Sequence, residues 1–304
     1  MAAIIGLDAG QNRIVARLRT DAGESTSEHA GLDANRPLAP QWAEAIGAVL
    51  QAHDGVQVDR VGVSTTPLLH ATAHDLLPLL APYHVHRVAV APDGVAAYLG
   101  ALGDAHGAVI HASTVTVCIA CGPQGHAQVD GWGPLFGNAG SAFWIGRTAI
   151  EAALRGYDGR RQLTALTDMV RSDFPDLDTA YLELQASPDF VPRIASYAEK
   201  VDALAATDRV AANILDKAAA HLSEAVQAGI RRAGLIRPDA PRVVALGTVF
   251  GSERVRRRFC DYLTLPWPNF ALTEPRGDEL DGAEALLTLS PQHPLYPRVS
   301  FAER

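Results

Sequence analysis

The sequence is poor in cysteine, in positive charge and in long apolar runs. Its three cysteines are Cys118, Cys121 and Cys260. They are too few for a disulfide scaffold, and the odd count fits a reducing compartment. No apolar run reaches the length of a membrane span, because polar residues or proline break each one. No basic segment precedes the apolar start. Ala2 to Leu7 therefore reads as a buried strand rather than a signal peptide, and a cytoplasmic location is expected. Neither a G-x-S-x-G elbow nor a G-x-x-x-x-G-K-[ST] loop is present. The formal net charge is -8. An acidic chain repels nucleic acid and anionic lipid, so neither partner is expected. The one basic run, SERVRRRF, falls on a predicted helix, where such residues form a solvated face.

What is present is ordinary for a globular α/β chain: 48% hydrophobic and 20% charged residues in a length of 304, which suggests about two domains. Residues 2–7 and 13–18 read as a β-hairpin. QWAEAIGAVLQAH places Trp42, Ile46, Val49 and Leu50 on one helical face. VDRVGVSTT is a strand, HATAHDLLPLLAPY a helix interrupted at Pro78, and VHRVAVAPDG a strand ending at Asp93. GVAAYLGAL is a helix directly after that acid. The order then restarts. GAVIHASTVTVCIACG reads as two strands around a small-residue turn, and SAFWIGRTAIEAALRGYDG as a helix. A mostly helical stretch follows, then strand, turn and helix in PRVVALGTVFGSERVRRRF. DGAEALLTL is a last short helix, and the proline-rich tail is expected over the surface. The pattern describes a pseudo-duplicated α/β protein with a cleft between halves and a boundary near Gly103 to Gly107.

Two acids stand at strand ends, where open α/β sheets bind ligands. Asp8 precedes AGQNR. Its turn allows close backbone approach to a phosphate, and its carboxylate suits a water-shelled Mg²⁺. An Asp making an ordinary turn fits the same residues. Asp93 fits either a helix cap or a general base that takes a proton from an attacking hydroxyl. DGWGPLFGNAGSAFWIG combines Gly131, Gly133 and Gly137 with Trp132, Phe136, Phe143 and Trp144, and Ser141 then opens a helix. Bare backbone, an aromatic wall and a helix start suit a sugar or phosphate, and equally a crossover loop over core aromatics. In VVALGTVFGSERV, Gly247 and Gly251 can pass the backbone under a nucleotide base. Cys118 and Cys121 form a C-x-x-C inside a strand pattern. The pairs His70/His74 and His84/His86 have metal-chelating spacing but no sulfur partner nearby.

In this order the stretches resemble the BadF/BcrA-type ATPase and N-acetylglucosamine kinase family, of the actin-like sugar-kinase superfold, from Ile4 to about Leu287. IIGLDAGQNR is similar to that family's first phosphate loop, D-G-G-G-T-K. APDGVAAYLGAL is similar to the N-D-A segment bearing its base. DGWGPLFGNAGSAFWIGRTAI resembles G-G-W-G…G-D-E-G-S…W-I-G, and VVALGTVFGS resembles the adenosine loop. KVDALAATDRVAANILDKAAAHL resembles the helix pair between them. The resemblance implies two actin-like (ribonuclease H-like) ATPase domains, residues 1–104 and 105–304, flanking a central cleft. It also implies that the last helix, near Gly282 to Leu289, packs back on the first domain. The implied activity is ATP- and Mg²⁺-dependent phosphorylation of an amino sugar, N-acetylglucosamine or glucosamine. Asp93 falls on the catalytic base, and Asp8 on the acid that orients Mg²⁺ and the γ-phosphate. Gly10, Gln11, Asn12, Arg13, Ser113 and Thr114 fall at the phosphates, and Gly247 and Thr248 at the adenosine. Thr116, Gly131, Trp132 and Asn138 fall at the sugar. A homodimer is implied by family likeness alone.

The phosphate loops depart from that pattern. Ala9 and Gln11 stand at glycine positions of the first. In the second, HASTVTV replaces G-T-G-S, with Ala112 and Thr114 at the glycines. A Cβ there restricts positive φ and blocks backbone approach. The D-E pair of the sugar loop is Asn138-Ala139, so the remaining donor or acceptor is neutral. The Gln11 side chain and the hydroxyls of Ser113, Thr114 and Thr116 can replace some amide contacts. These departures motivate a second reading, a degenerate member that binds sugar as a sensor or partner subunit. A third, an activator ATPase carrying an iron–sulfur cluster, is disfavoured by the strand pattern around Cys118 and Cys121.

Overall fold

In the computed structural model, which describes residues 3–53, 55–66, 71–235 and 240–304, the N-terminal alternation becomes three antiparallel strands. These are β1 (Ala3–Ala9), β2 (Arg13–Thr20) and β3 (Gly23–Ala30). The hairpin expectation missed β3. GESTSEHA carries no large apolar residue, yet it pairs with β2 along its whole length. The chain continues through α1 (Leu38–Ala52), β4 (Val58–Thr65), β5 (Arg87–Pro92) and α2 (Asp93–Leu102). Next come β6 (Gly107–Ala112), β7 (Thr116–Gly122), β8 (Gly125–Asp130) and α3 (Ala142–Tyr157). After several short helices follow α4 (Arg209–Arg232), β9 (Val243–Leu246) and α5 (Glu253–Thr264). The last elements are α6 (Glu279–Ala285) and β10 (Ser300–Glu303).

These elements form two compact units, residues 1–106 with 274–304, and residues 107–273. The expected 105–304 domain is thus corrected at its end, since Glu274–Arg304 packs within the first unit. The first sheet has the order β10-β5-β4-β1-β2-β3, with β1, β4 and β5 parallel. The tail is not merely surface chain, because β10 adds an antiparallel edge strand to β5. On one face, Ile5 and Leu7 share a core with Trp42, Ile46 and Val49 of α1. The other face receives α6, which approaches so closely that side chains are excluded. A Cβ on Gly62 would lie 1.9 Å from the Ala283 carbonyl, and one on Gly282 would lie 1.9 Å from that of Ala96. Glycine at such crossings trades intrinsic stability for backbone contact.

An ion cluster fastens the same helix. Buried Arg17 donates from Nε to Glu284 at 2.7 Å and from Nη2 to Asp281 at 2.6 Å. Arg19 adds contacts to Asp281 at 3.1 Å and Glu284 at 3.2 Å. Burial pushes the Glu284 carboxyl up, while both guanidiniums pull it down.

In the second unit the sheet order is β8-β7-β6-β9. Its core joins Ile110 and Ala120 to Ile145 and Ala149 of α3, Leu215 and Leu222 of α4, and Phe259 of α5. The basic run lies on α5, where Arg254 makes a two-pronged contact with Asp216 at 2.8 and 2.9 Å. Cys118 is fully buried in β7, and burial pushes its thiol up to about 12, which makes it a packing residue. Among the described residues no group of three or more His, Cys, Asp or Glu is placed to hold a metal ion. His84 and His86 lie just before the start of β5, and His70 lies outside the described residues. No described helix is long and apolar enough to cross a membrane.

Candidate active site

The parallel register of β1, β4 and β5 brings their C-terminal ends level. Asp8 faces Ser64 across the β1–β4 pair, and Ser64 faces Ala91 across β4–β5. Asp93, two residues past Ala91, therefore sits at the same end of the sheet, two strand spacings or about 10 Å to the side of Asp8 and two residues further along. Asp93 is the first helical residue of α2, and the capping position belongs to Pro92. Its Oδ1 accepts from the Gly94 amide at 2.7 Å.

Both acids are half-buried. Desolvation pushes the Asp93 carboxyl up to about 6. The Gly94 amide opposes that shift, the negative charge of Asp8 adds to it, and a hydroxyl bond from Thr66 opposes it weakly. Desolvation likewise raises Asp8, against a 3.1 Å hydrogen bond donated by Ser64 Oγ. Glu279, at the start of α6, raises Asp8 further, and Arg13 lowers it.

The first loop follows Asp8. Gly10 donates to the Arg13 carbonyl at 3.0 Å and accepts from the Leu32 amide at 2.9 Å. Gln11 and Asn12 are exposed, and Arg13 pairs with Glu28 at 3.2 Å. Among the described residues only His84, Asp130 and Asn138 have positive φ without being glycine. Ala9, Gln11, Ala112 and Thr114 therefore carry their Cβ atoms without backbone strain.

In the second unit, Ser113 and Thr114 join β6 to β7. The Ser113 amide is taken by the Val115 carbonyl at 2.9 Å, and its Oγ accepts from the Thr248 amide at 3.1 Å. Gly247 has φ 100°, and a Cβ on it would fall 2.3 Å from the Ala112 carbonyl. The packing of these two loops is thus sufficient reason for glycine at 247.

The loop after β8 is held by a residue the sequence reading passed over. Asp130 Oδ1 accepts from the amides of Gly131 at 2.7 Å and Asn138 at 2.6 Å, and Oδ2 accepts from Ala139 at 2.9 Å. Trp132, Leu135 and Phe136 stand out from this loop, 66%, 81% and 88% exposed. A cavity of about 460 Å³ lies beside it, walled by Trp132, Phe143 and Trp144, with Arg147 and His221 among its polar groups. Thr116 and Asn138 are fully buried, and their Oγ1 and Nδ2 atoms have no hydrogen-bond partner. Ser141 caps α3 as expected, accepting from the Trp144 amide at 3.1 Å. Ser64 was legible only as part of a polar strand end. Glu279 reaches Asp8 from 271 positions away in sequence, which no local pattern reveals.

A model of the BadF/BadG/BcrA/BcrD ATPase family matches residues 5–284. This chain belongs to that family. The N-acetylmuramic acid/N-acetylglucosamine kinase of Clostridium acetobutylicum is 26% identical over 212 residues, covering 66% of this chain and 67% of that one. A candidate N-acetylglucosamine kinase from Chromobacterium violaceum superposes with a TM-score of 0.69 at 23% identity, over 94% of this chain and 99% of that one. The ROK hexokinase of Thermus thermophilus gives a TM-score of 0.54 at 16% identity, over 94% and 97%. The fold of this family member is therefore the actin-like α/β fold of sugar kinases, and its family is one of ATP-using proteins.

Proposed function

We propose that this BadF-type ATPase phosphorylates an amino sugar, N-acetylglucosamine or glucosamine, with ATP and Mg²⁺. The observation that carries the reading is the pair of strand-end carboxylates, one of them, Asp93, raised to about 6. A base with that value is ionised at neutral pH yet still basic enough to take a hydroxyl proton in the transition state. The kinase named for Clostridium acetobutylicum supports the substrate class.

The residues fit the cofactor. Asp8 is a desolvated carboxylate that accepts from the Ser64 hydroxyl, and a hard cation would relieve its burial cost. Exposed Gln11 and Asn12 offer amide groups at the neighbouring turn. Bound Mg-ATP supplies the phosphoryl group and the counter-charge for its oxygens. Asp8 would hold the cation through water, with Gly10 and Arg13 beside it. Asp93 would accept the proton of the attacking sugar hydroxyl at its carboxylate. Ser113, Thr114, Gly247 and Thr248 would face the nucleotide, and Thr116, Gly131, Trp132 and Asn138 the sugar.

The test is purified protein with Mg-ATP and a hexosamine panel. Turnover should appear with an amino sugar and fall about 10²–10⁴-fold in Asp93→Asn. Unchanged turnover in that variant would remove Asp93 as the base. The engaged Ser113 hydroxyl and amide favour a second reading, a member that binds sugar without efficient transfer. Micromolar Mg-ATP affinity by calorimetry supports the kinase, whereas tight sugar binding with millimolar or absent ATP binding supports the sensor.

A further inference from the structure

Asp130 stands where the family pattern G-G-W-G begins with glycine, and Asn138 where that pattern carries an acid. The carboxylate has in effect moved eight residues along the chain while staying at the same loop. Three main-chain amides, of Gly131, Asn138 and Ala139, converge on it at 2.6–2.9 Å. Such charge-assisted bonds are the strong ones. Gly137 makes room for it, since a Cβ there would fall 2.3 Å from Asp130 Oδ1. Five residues of the loop have positive φ: Asp130, Gly131, Gly133, Asn138 and Gly140. A loop bent this far needs a fixed centre, and the carboxylate provides it.

The consequence falls on Asn138. Its backbone is left-handed at φ 64°, and its side chain is fully buried. Oδ1 accepts from the Thr116 amide at 3.3 Å, while Nδ2 and the neighbouring Thr116 Oγ1 lack partners. Gly137 and Ala139, on either side of Asn138, both line the cavity with Asp130 and Trp132. Asn138 itself is no wall residue, so its unpaired donor stands one layer behind the lining, where a buried polar group without a partner calls for one. We propose that Asp130 is a positioning residue that sets Asn138 for recognition of a sugar oxygen, replacing the acid absent at 138. This rests on the amino-sugar reading.

Asp130→Gly tests it, because glycine keeps the left-handed backbone and removes only the carboxylate. The sugar KM should rise about tenfold, with the ATP KM and kcat within about twofold, and Asp130→Asn should fall between. Asn138→Asp alone should also weaken the sugar, since it sets two carboxylates side by side. Combined with Asp130→Gly it should recover part of the loss, a non-additivity that unfolding would not produce. Amide hydrogen exchange at Asn138 and Ala139 should quicken about tenfold in Asp130→Gly, with α1 and β4 unchanged. Unchanged exchange, an unchanged sugar KM, or equal rises in both KM values would each overturn the proposal. If the wild type phosphorylates no amino sugar, the substrate reading fails. The exchange result still decides whether Asp130 sets the loop.

Discussion

Replacing Asp93 by Asn should stabilise the first unit while slowing the chemistry proposed for it. The reason is desolvation. Moving the carboxyl from 3.8 to about 6 means that the folded state resists ionisation. Below 3.8 both folded and unfolded chains hold the proton, and the group contributes nothing. Between 3.8 and about 6 the unfolded chain has released it and the folded one has not, so stability falls as pH rises. Above 6 the whole cost is present, about 3 kcal/mol at about 1.4 kcal/mol per pH unit. Integration gives about 1.6 kcal/mol at pH 5 and about 3 kcal/mol at pH 7.5. Asn keeps the shape and the acceptor for the Gly94 amide but has no charge to bury. The stability difference between the Asp93→Asn variant and wild type should therefore grow by about 1.4 kcal/mol from pH 5 to 7.5. Urea-dependent hydrogen exchange of β4 and β5 peptides reports the first unit by itself. A difference that stays flat across that range would refute desolvation as the cause of the shift. A variant less stable than wild type at pH 7.5 would refute it as well.

Asp8→Asn removes a like charge from the neighbourhood of Asp93, so the Asp93 carboxyl should titrate below 6, as followed by carbon-13 NMR; an unmoved titration would deny the coupling. Arg17→Met should cost about 3 kcal/mol, because it removes the buried partner of Glu284 and leaves the half-exposed Arg19 to hold it, and thermal unfolding measures it. Gly62→Ala should lower the melting temperature of the first unit and detach α6, read as faster exchange in residues 279–285, since its Cβ would meet the Ala283 carbonyl at 1.9 Å.

Local pattern carried much of the fold. The apolar face Trp42, Ile46, Val49 and Leu50 is buried as the helical spacing requires. The strand ends bearing Asp8 and Asp93 were legible because apolar strands stop at polar residues. Their nearness was not, since it depends on β4 lying between β1 and β5 with matched register. The polar strand β3 escaped notice because strand pairing needs only backbone groups, and its side chains face solvent on alternate positions. Asp130 escaped because a carboxylate that serves backbone amides looks like any turn acid.

The sequence alone determined the order of elements, the carboxylates at the strand ends and the family to which the chain belongs, for these reside in periodicity and in motifs of adjacent residues. Only tertiary structure decided that the tail beyond the last helix adds β10 to the first sheet, that Glu279 acts on Asp8, and that Asp93 is held near 6. Each of these depends on which groups distant in sequence share a desolvated space, and burial and electrostatic energy are properties of that space.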